Sequence, residues 1–258
     1  MKRVENKVVI ITGGASGIGA AATELLAREG GKILFCDINA EQGRSLESRL
    51  LSDSLDVTFV EADVRFPEAN EQLVRAAVDK YGKLNAIVCC AGSLLNELIA
   101  EYDDDKWIDG IALNCDAGYY LYRYAAPEMV KAGGGSVVFL GDGCMDMPMP
   151  GMGCNLVAKM ALTYLCRQIG VEQARNNIRA NIVSPTLVES PYWDMYPRVL
   201  ETLKCCANGK HSFRPDDVAS IVLFLVSDES RMITVSNLKA NDNYDCGFAY
   251  DQWAGLQA

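Results

Sequence analysis

Three polar residues in the middle of the chain have types and spacing that could perform proton chemistry. Asn155 and Lys159 are four residues apart, and Asp142 lies thirteen residues before Asn155. Side chains four residues apart share one face of a helix, so Asn155 and Lys159 are expected to point the same way. A carboxylate can accept a proton, whereas an asparagine amide only forms hydrogen bonds at neutral pH. The pattern predicts a polar pair, Asn155 and Lys159, on one helix face.

A glycine-rich segment near the start of the chain could hold a phosphate group. An apolar run leads into Gly13, Gly17 and Gly19. Gly13 permits a tight turn, Gly17 lets the backbone approach a pyrophosphate, and Gly19 allows a helix to pack closely on a sheet. Ser16 and Ile18 lie where that helix begins, and its free N–H groups favour an anion. The segment predicts a nucleotide-binding loop; the alternative is a structural turn.

An acidic residue ends the second predicted strand. Asp37 follows the run from Lys32 to Cys36, and no arginine comes directly after it. A carboxylate at this place accepts hydrogen bonds from both ribose hydroxyls of NAD and repels the 2′-phosphate of NADP. The residue therefore indicates NAD as the cofactor, with a solvated turn aspartate as the alternative.

The composition excludes several classes of protein. The chain has 258 residues, a formal net charge of −10 and one histidine, His211. An acidic chain is a poor nucleic-acid binder, because phosphate contacts need clustered positive charge. One histidine excludes a metal cage built from histidines and argues against a Ser-His-Asp triad. We therefore expect a small-molecule substrate, no metal and no nucleic acid.

The cysteines and the apolar segments indicate a compartment. Ten cysteines contain no CxxC pair, although Cys89–Cys90 and Cys205–Cys206 are adjacent in the chain. Adjacent cysteines rarely satisfy disulfide geometry, so most thiols are expected to be small core residues of a reduced protein. No signal peptide and no apolar run of membrane-spanning length are recognisable. These features predict a cytoplasmic protein with no membrane partner.

Strand-like and helix-like segments alternate along the whole chain. The predicted strands are Val8–Ile11, Lys32–Cys36, Val57–Glu61, Ala86–Cys90, Ser136–Leu140, Ile178–Val183 and Met232–Lys239. The predicted helices are Ile18–Arg28, Ala40–Leu51, Pro67–Tyr81, Asp105–Lys131, Leu156–Ala174 and Pro215–Val226. Parallel neighbours need crossover connections, so this alternation predicts an α/β fold of the Rossmann type with a doubly wound parallel sheet of about seven strands. We expect one domain over residues 1–258, with a substrate lid at about 186–209.

The spacing Gly13-x-x-x-Gly17-x-Gly19 resembles that of the short-chain dehydrogenase/reductase family, and the resemblance extends over about residues 5 to 245. It implies that Asp63 and Val64 lie beside an adenine ring. The segment from Cys89 to Gly92 resembles the family's Asn-Ala-Gly turn, with cysteines in place of asparagines. The cofactor contacts implied are those of Gly13, Ser16, Gly17, Ile18, Gly19, Asp37, Asp63, Val64, Ala91, Gly92, Lys159, Pro185 and Val188.

The same resemblance implies a catalytic pattern from which this chain departs. The family uses Tyr-x-x-x-Lys with a serine thirteen residues before the tyrosine. Here Lys159 and the active-site asparagine, Asn114, are in place, but Asn155 occupies the tyrosine position and Asp142 the serine position. Thr186 stands where the family has a glycine after Pro185. The catalytic set expected is Asn114, Asp142, Asn155 and Lys159.

Three functions are compatible with this altered site. The first is an NAD-dependent oxidoreductase acting on an alcohol or carbonyl group, or on a conjugated double bond, with Asp142 as the base. Weaker proton carriers are Tyr192, Cys144 and Cys154. The second is a lyase or epimerase that uses bound NAD without net redox change. The third is a non-catalytic sensor or structural protein that keeps the cofactor site.

The resemblance also implies self-association into a homodimer or homotetramer through two helices. These are Asp105–Lys131, which is rich in tyrosine, and the helix that carries Lys159. The lid contains aromatic and apolar residues, which favour a hydrophobic or ring-bearing substrate. They are Tyr192, Trp193, Met195 and Tyr196.

Overall fold

The computed structural model describes residues 2–190 and 213–241. Most of the predicted lid, including Tyr192, lies outside the described residues. His211 and the Cys205–Cys206 pair also lie outside them.

Seven parallel strands form one sheet in the order β3-β2-β1-β4-β5-β6-β7. The strands are β1 Val8–Thr12, β2 Lys32–Asp37, β3 Val57–Glu61, β4 Ala86–Cys89, β5 Gly135–Leu140, β6 Ile178–Pro185 and β7 Asn237–Ala240. Every residue of β1 is buried, as expected for a strand with both faces covered. The predicted doubly wound sheet is confirmed.

Helices cover both faces of the sheet. They are α1 Gly17–Arg28, α2 Ala40–Ser52, α3 Pro67–Tyr81, α4 Asp104–Ile111, α5 Ala117–Lys131, α6 Gly153–Glu172 and α7 Pro215–Val226. Alternate residues of β1 face opposite layers: Val8 and Ile10 pack with α3, α5 and α6, whereas Val9 and Ile11 pack with α1, α2 and α7. The short apolar runs therefore build two cores on one sheet.

The strand order reverses between β1 and β4, which lie side by side at the centre of the sheet. The chain leaves β1 toward β2 on one side and enters β4 on the other. Such a reversal opens a crevice at the carboxyl ends of the strands, where ligands bind in α/β proteins. The glycine-rich segment and the segment from Cys90 to Gly92 lie at this crevice, because they directly follow β1 and β4.

The predicted helix Asp105–Lys131 is continuous but irregular. One turn, Ala112–Asp116, is π-helical and joins α4 to α5. Such a turn opens the helical ladder and frequently marks a functional site. Asn114 lies in the middle of it, and the side-chain amide of Asn114 donates to the Gly110 carbonyl at 3.0 Å.

The predicted strand Met232–Lys239 is wrong over its first half, because β7 begins only at Asn237. Val235 has a φ of +61°, which a strand does not allow. Its N–H group still bonds the Ala180 carbonyl at 2.7 Å, and the Asn181 amide donates to the Ile233 carbonyl at 3.0 Å. An asparagine side chain of β6 thus replaces part of the ladder that the apolar pattern suggested.

Candidate functional site

The three glycines of the first loop are required for different reasons. Gly13 has a φ of +62°, and a Cβ there would lie 2.8 Å from the Ala91 Cα. A Cβ on Gly19 would lie 2.0 Å from the Gly13 carbonyl oxygen. Gly17 has a φ of +49°, but a Cβ there would meet nothing within 4 Å. The space beside Gly17 is therefore open, and its backbone can be approached by a ligand.

The start of α1 offers hydrogen-bond donors to that space. The first backbone bond of the helix runs from the Ala20 N–H to the Ser16 carbonyl at 3.0 Å. The preceding N–H groups therefore have no carbonyl within the helix, and the Ser16 hydroxyl caps none of them. Ser16 and Gly17 are exposed. An anion such as a pyrophosphate fits this arrangement of N–H groups.

Asp37 ends β2 beside the same loop. Its carboxylate accepts hydrogen bonds from the Ala15 N–H at 3.2 Å and from the Asn39 N–H at 3.0 Å. The next residue, Ile38, leaves 71% of its surface exposed, which the sequence reasoning did not single out. The sequence signal that could have indicated it was an isoleucine directly after the acidic residue that ends a strand. Asp37 and Ile38 together offer a polar and an apolar contact to a nucleoside.

Asp63 is held by a residue that the sequence reasoning missed. The Arg65 Nη2 atom donates to the Asp63 carboxylate at 2.7 Å, and its Nη1 atom donates to Asp109 of α4 at 2.8 Å. The hydrogen bond from Arg65 lowers the pKa of the Asp63 carboxyl. Val64 is buried beneath this turn. The Asp63 carboxylate is thus held in one orientation beside the crevice, where its oxygen atoms can accept hydrogen bonds.

Lys159 is the buried cation of the site. It lies on α6, and its Nζ donates to the Leu140 carbonyl, at the end of β5, at 2.8 Å. Burial lowers the pKa of the Lys159 ammonium, and the charge of Asp142 opposes that shift. A Cβ on Gly92 would lie 3.4 Å from the Lys159 Nζ. The turn after β4 and the end of β5 therefore converge on this ammonium.

Asn155 and Asp142 are joined directly. The Asn155 Nδ2 atom donates to one carboxylate oxygen of Asp142 at 2.8 Å, and the Cys144 N–H donates to the other at 2.8 Å. Asn155 is buried, whereas Asp142 is partly exposed. Within residues 2–190 and 213–241, no ion pair joins Asp142 to Lys159.

Asn114 connects the π-helical turn to the loop after β4. Its Nδ2 atom donates to the Ser93 carbonyl at 3.0 Å, and the Ser93 N–H donates to its Oδ1 atom at 3.1 Å. A Cβ on Gly92 would lie 2.8 Å from that Oδ1 atom. The structure thus brings Asn114, Gly92 and Lys159 together, and Asn114 also stabilises the irregular helix.

The segment after β6 closes the other side of the site. The Pro185 carbonyl accepts from the Gly143 N–H at 2.9 Å, and Val188 forms a bridge with Phe213. The Thr186 hydroxyl is buried and has no hydrogen-bond partner. A Cβ on Gly143 would lie 1.9 Å from this hydroxyl. The Thr186 side chain therefore occupies the space in which a side chain at position 143 would lie.

Two of the weaker proton carriers, Cys154 and Cys144, are buried thiols. The Cys154 Sγ atom lies 3.7 Å from the Trp107 carbonyl, and burial raises the pKa of the Cys154 thiol. Cys144 is buried in a small apolar cluster with Met145 and Leu156. A neutral, buried thiol is a poor base. Tyr192 lies outside the described residues.

The described residues contain neither a candidate metal site nor a candidate membrane-spanning helix. Among them, no group of three or more histidine, cysteine, aspartate or glutamate side chains could hold a metal ion. No helix in this part of the chain is both long enough and apolar enough to cross a bilayer.

Comparisons with known proteins agree with this geometry. The family model described as Enoyl-(Acyl carrier protein) reductase matches residues 13–245. The chain is 32% identical to short chain aldehyde dehydrogenase 1 of Euphorbia lathyris, over 94% of this chain and 89% of that protein. It is 31% identical to 2,3-dihydro-2,3-dihydroxybenzoate dehydrogenase of Bacillus subtilis, over 92% of this chain and 95% of the relative.

A solved structure shows the same fold. It is a short-chain type dehydrogenase/reductase from Mycobacterium ulcerans, with a TM-score of 0.90 and 23% sequence identity. The match covers 98% of this chain and 94% of the other.

The charge of Asp142 near Lys159 leads to a testable prediction about the pKa of the Lys159 ammonium. Replacing Asp142 with Asn should lower the pKa of Lys159 further, because the negative charge that opposes desolvation is lost. The control is Asp146→Asn, which removes a carboxylate of the same loop that pairs with Lys239 instead. A pH titration of the lysine side-chain NMR signals measures both. An unchanged Lys159 pKa in Asp142→Asn, or an equal shift in the control, would contradict this account.

Proposed function

The chain belongs to the short-chain dehydrogenase/reductase family of oxidoreductases, and from that membership we propose that it is an NAD-dependent enzyme acting on a small-molecule alcohol or carbonyl group. The observation that carries the proposal is the Asp142 carboxylate. It is held by Asn155 and a backbone N–H beside the buried Lys159, yet it remains partly exposed. A base so placed can replace the family's usual proton relay.

The residues present fit the cofactor. The N–H groups at the start of α1 would hold the pyrophosphate in the open space beside Gly17. Asp37 would accept hydrogen bonds from the adenosine ribose, and Asp63 would accept one from the adenine amino group. When bound, NAD⁺ supplies the hydride acceptor. Lys159 would hold the second ribose with the N–H groups that it does not donate to Leu140.

Asp142 supplies the proton chemistry in this proposal. Its carboxylate would take the hydroxyl proton of the substrate as the hydride leaves the adjoining carbon. The hydrogen bonds from Asn155 and Cys144 keep it in one orientation. A negative charge near the nicotinamide also favours the oxidised, cationic form of the cofactor.

Oxidation is the direction that the hydrogen-bonding pattern favours. The Asn155 N–H faces Asp142, so the amide oxygen of Asn155 is left as an acceptor, and an ionised Asp142 is an acceptor only. A hydroxyl group can donate to such acceptors, whereas a carbonyl oxygen cannot. The site should therefore bind an alcohol better than the matching ketone or aldehyde.

We also propose that the protein associates with itself through α5 and α6. Large apolar or aromatic side chains on these helices are exposed. They are Tyr119, Val130, Val157, Met160, Tyr164 and Val171. Tyr164 leaves 68% of its surface exposed, and burial of such side chains against a second copy would be favourable.

A reducing compartment suits the thiols. Of the seven cysteines in the described part of the chain, five lie in the two main cores or immediately against them. These five are Cys36, Cys89, Cys90, Cys115 and Cys166. Burial raises the pKa of Cys166 to about 12, which keeps that thiol protonated and unreactive. We therefore propose the cytoplasm as the location.

Cofactor choice tests the role of Asp37. Calorimetric titration of the wild type should show NAD⁺ binding at least about tenfold more tightly than NADP⁺, because the carboxylate accepts from the ribose hydroxyls and repels a 2′-phosphate. Asp37→Ser should weaken NAD⁺ binding and narrow that preference. Asp79→Ser, an exposed aspartate of α3, is the control and should change neither affinity. Equal or tighter NADP⁺ binding by the wild type would refute the assignment.

Substitution of Asp142 tests the base. Asp142→Asn should lower turnover by about 10² or more, the usual contribution of a positioned base, while NAD⁺ affinity stays near that of the wild type. Asp146→Asn should leave turnover unchanged. NADH formation measured by absorbance follows both. Full activity in Asp142→Asn would show that Asp142 is not the base. If the wild type binds NAD⁺ but turns over no alcohol, a non-catalytic sensor would be favoured.

Sedimentation velocity tests the self-association. At micromolar concentration the wild type should sediment as a dimer or tetramer, because its exposed apolar side chains on α5 and α6 are then buried. Tyr164→Glu should shift the distribution toward the monomer. The control Leu51→Glu changes an exposed apolar residue of α2, outside both helices, and should leave the distribution unchanged. A monomeric wild type would contradict the proposal.

A further inference from the structure

We propose a second activity for the same site, the oxidation of an amine to an iminium ion. This inference rests on the proposed function, since it uses the same cofactor and the same Asp142 carboxylate. It goes beyond that function by assigning the site a second class of substrate, in which the reacting carbon carries nitrogen instead of oxygen. The argument comes from the hydrogen-bonding groups and the charge around Lys159.

The Asn155 amide has a defined orientation. Its partner is a carboxylate, which cannot donate when ionised, so the nitrogen of the amide must face Asp142. Among the described residues, no group donates to the Asn155 oxygen. A substrate that reaches this position meets an amide oxygen and a carboxylate, and both of them accept hydrogen bonds.

The neighbouring donors are already committed. The two N–H groups of the Asn114 side chain donate to the carbonyls of Ser93 and Gly110, each at 3.0 Å. Lys159 is 7% exposed and donates to the Leu140 carbonyl. A protonated or neutral amine can donate two or three N–H groups to the free acceptors, which is more than a hydroxyl can offer.

The charge change of the reaction also distinguishes nitrogen from oxygen. Oxidation of an alcohol passes the hydroxyl proton to Asp142, which neutralises the carboxylate. Removing hydride from a neutral amine needs no proton transfer and leaves a positive charge on the nitrogen, which the ionised carboxylate attracts. The group that stands at position 142 therefore assists the nitrogen reaction more than the oxygen reaction.

The step balances with the groups already named. The amine reacts in its neutral form, and Asp142 stays ionised beside it. The carbon–hydrogen bond next to nitrogen would break, and the bound oxidised dinucleotide would supply the hydride acceptor. The nitrogen lone pair would form the carbon–nitrogen double bond, so the amine is oxidised to an iminium ion as the dinucleotide is reduced. The step needs no proton transfer, and the positive charge of the iminium ion lies beside the ionised carboxylate.

Binding of a matched pair of unreactive ligands tests the recognition. 2-Phenyl-2-propylamine and 2-phenyl-2-propanol have the same shape, and neither has a hydrogen on the carbon beside the heteroatom. In the presence of saturating NAD⁺, calorimetry should show the amine binding at least about tenfold more tightly, as expected for a hydrogen bond to a charged group. Asp142→Asn should remove that preference, whereas Asp146→Asn should keep it. Equal affinities in the wild type would overturn the proposal.

Turnover of the related reactive pair tests the chemistry. NADH formation from 1-phenylethylamine should exceed that from 1-phenylethanol in the wild type. The double variant Asp142→Ser with Asn155→Tyr, which restores the family's pattern, should reverse this order. Turnover of the alcohol alone would overturn the amine activity and leave the proposed function standing. NAD⁺ binding without turnover of either compound would overturn both.

Discussion

The burial of one ammonium group organises the site. Lys159 loses most of its hydration on α6, and the free-energy cost of that loss is offset by one carbonyl oxygen and one nearby negative charge. The Leu140 carbonyl comes from the end of β5, and the charge of Asp142 comes from the loop that follows. Both positions depend on the parallel sheet, which brings the carboxyl ends of its strands to one edge. The sheet must therefore form before this cation has its partners.

The two halves of the crevice have diverged to different degrees. The half that faces the cofactor keeps each requirement of a nucleotide loop, including the close approach of Gly13 to Ala91 and the open space beside Gly17. In the proposed function, the half that faces the substrate carries the Asp142 carboxylate and the Asn155 amide where the family's pattern has hydroxyl donors. The two residues form a pair, because the Asn155 amide donates a hydrogen bond to the Asp142 carboxylate. A second pairing places the Thr186 side chain against Gly143.

Polarity decides what such a site can bind. A hydroxyl group both donates and accepts, so a site of hydroxyl groups can accommodate a carbonyl, an alcohol or an alkoxide. The pair of Asp142 and Asn155 presents acceptors and negative charge, which favours substrates that donate and products that carry positive charge. In the proposed function, these two side chains would set the preferred direction of the reaction and the preferred heteroatom.

The amino-acid sequence by itself determined most of the elements and supplied the proposed site residues. Buried parallel strands are short apolar runs, and the glycine spacing and the four-residue interval from Asn155 to Lys159 are local features. Tertiary structure decided the rest. The apolar run from Met232 does not form a strand, because Asn181 of β6 takes over its hydrogen bonds. Arg65 bridges Asp63 to α4, and Asp142 bonds Asn155 instead of Lys159. These are contacts between distant segments, and their geometry exists only after the sheet and helices have packed.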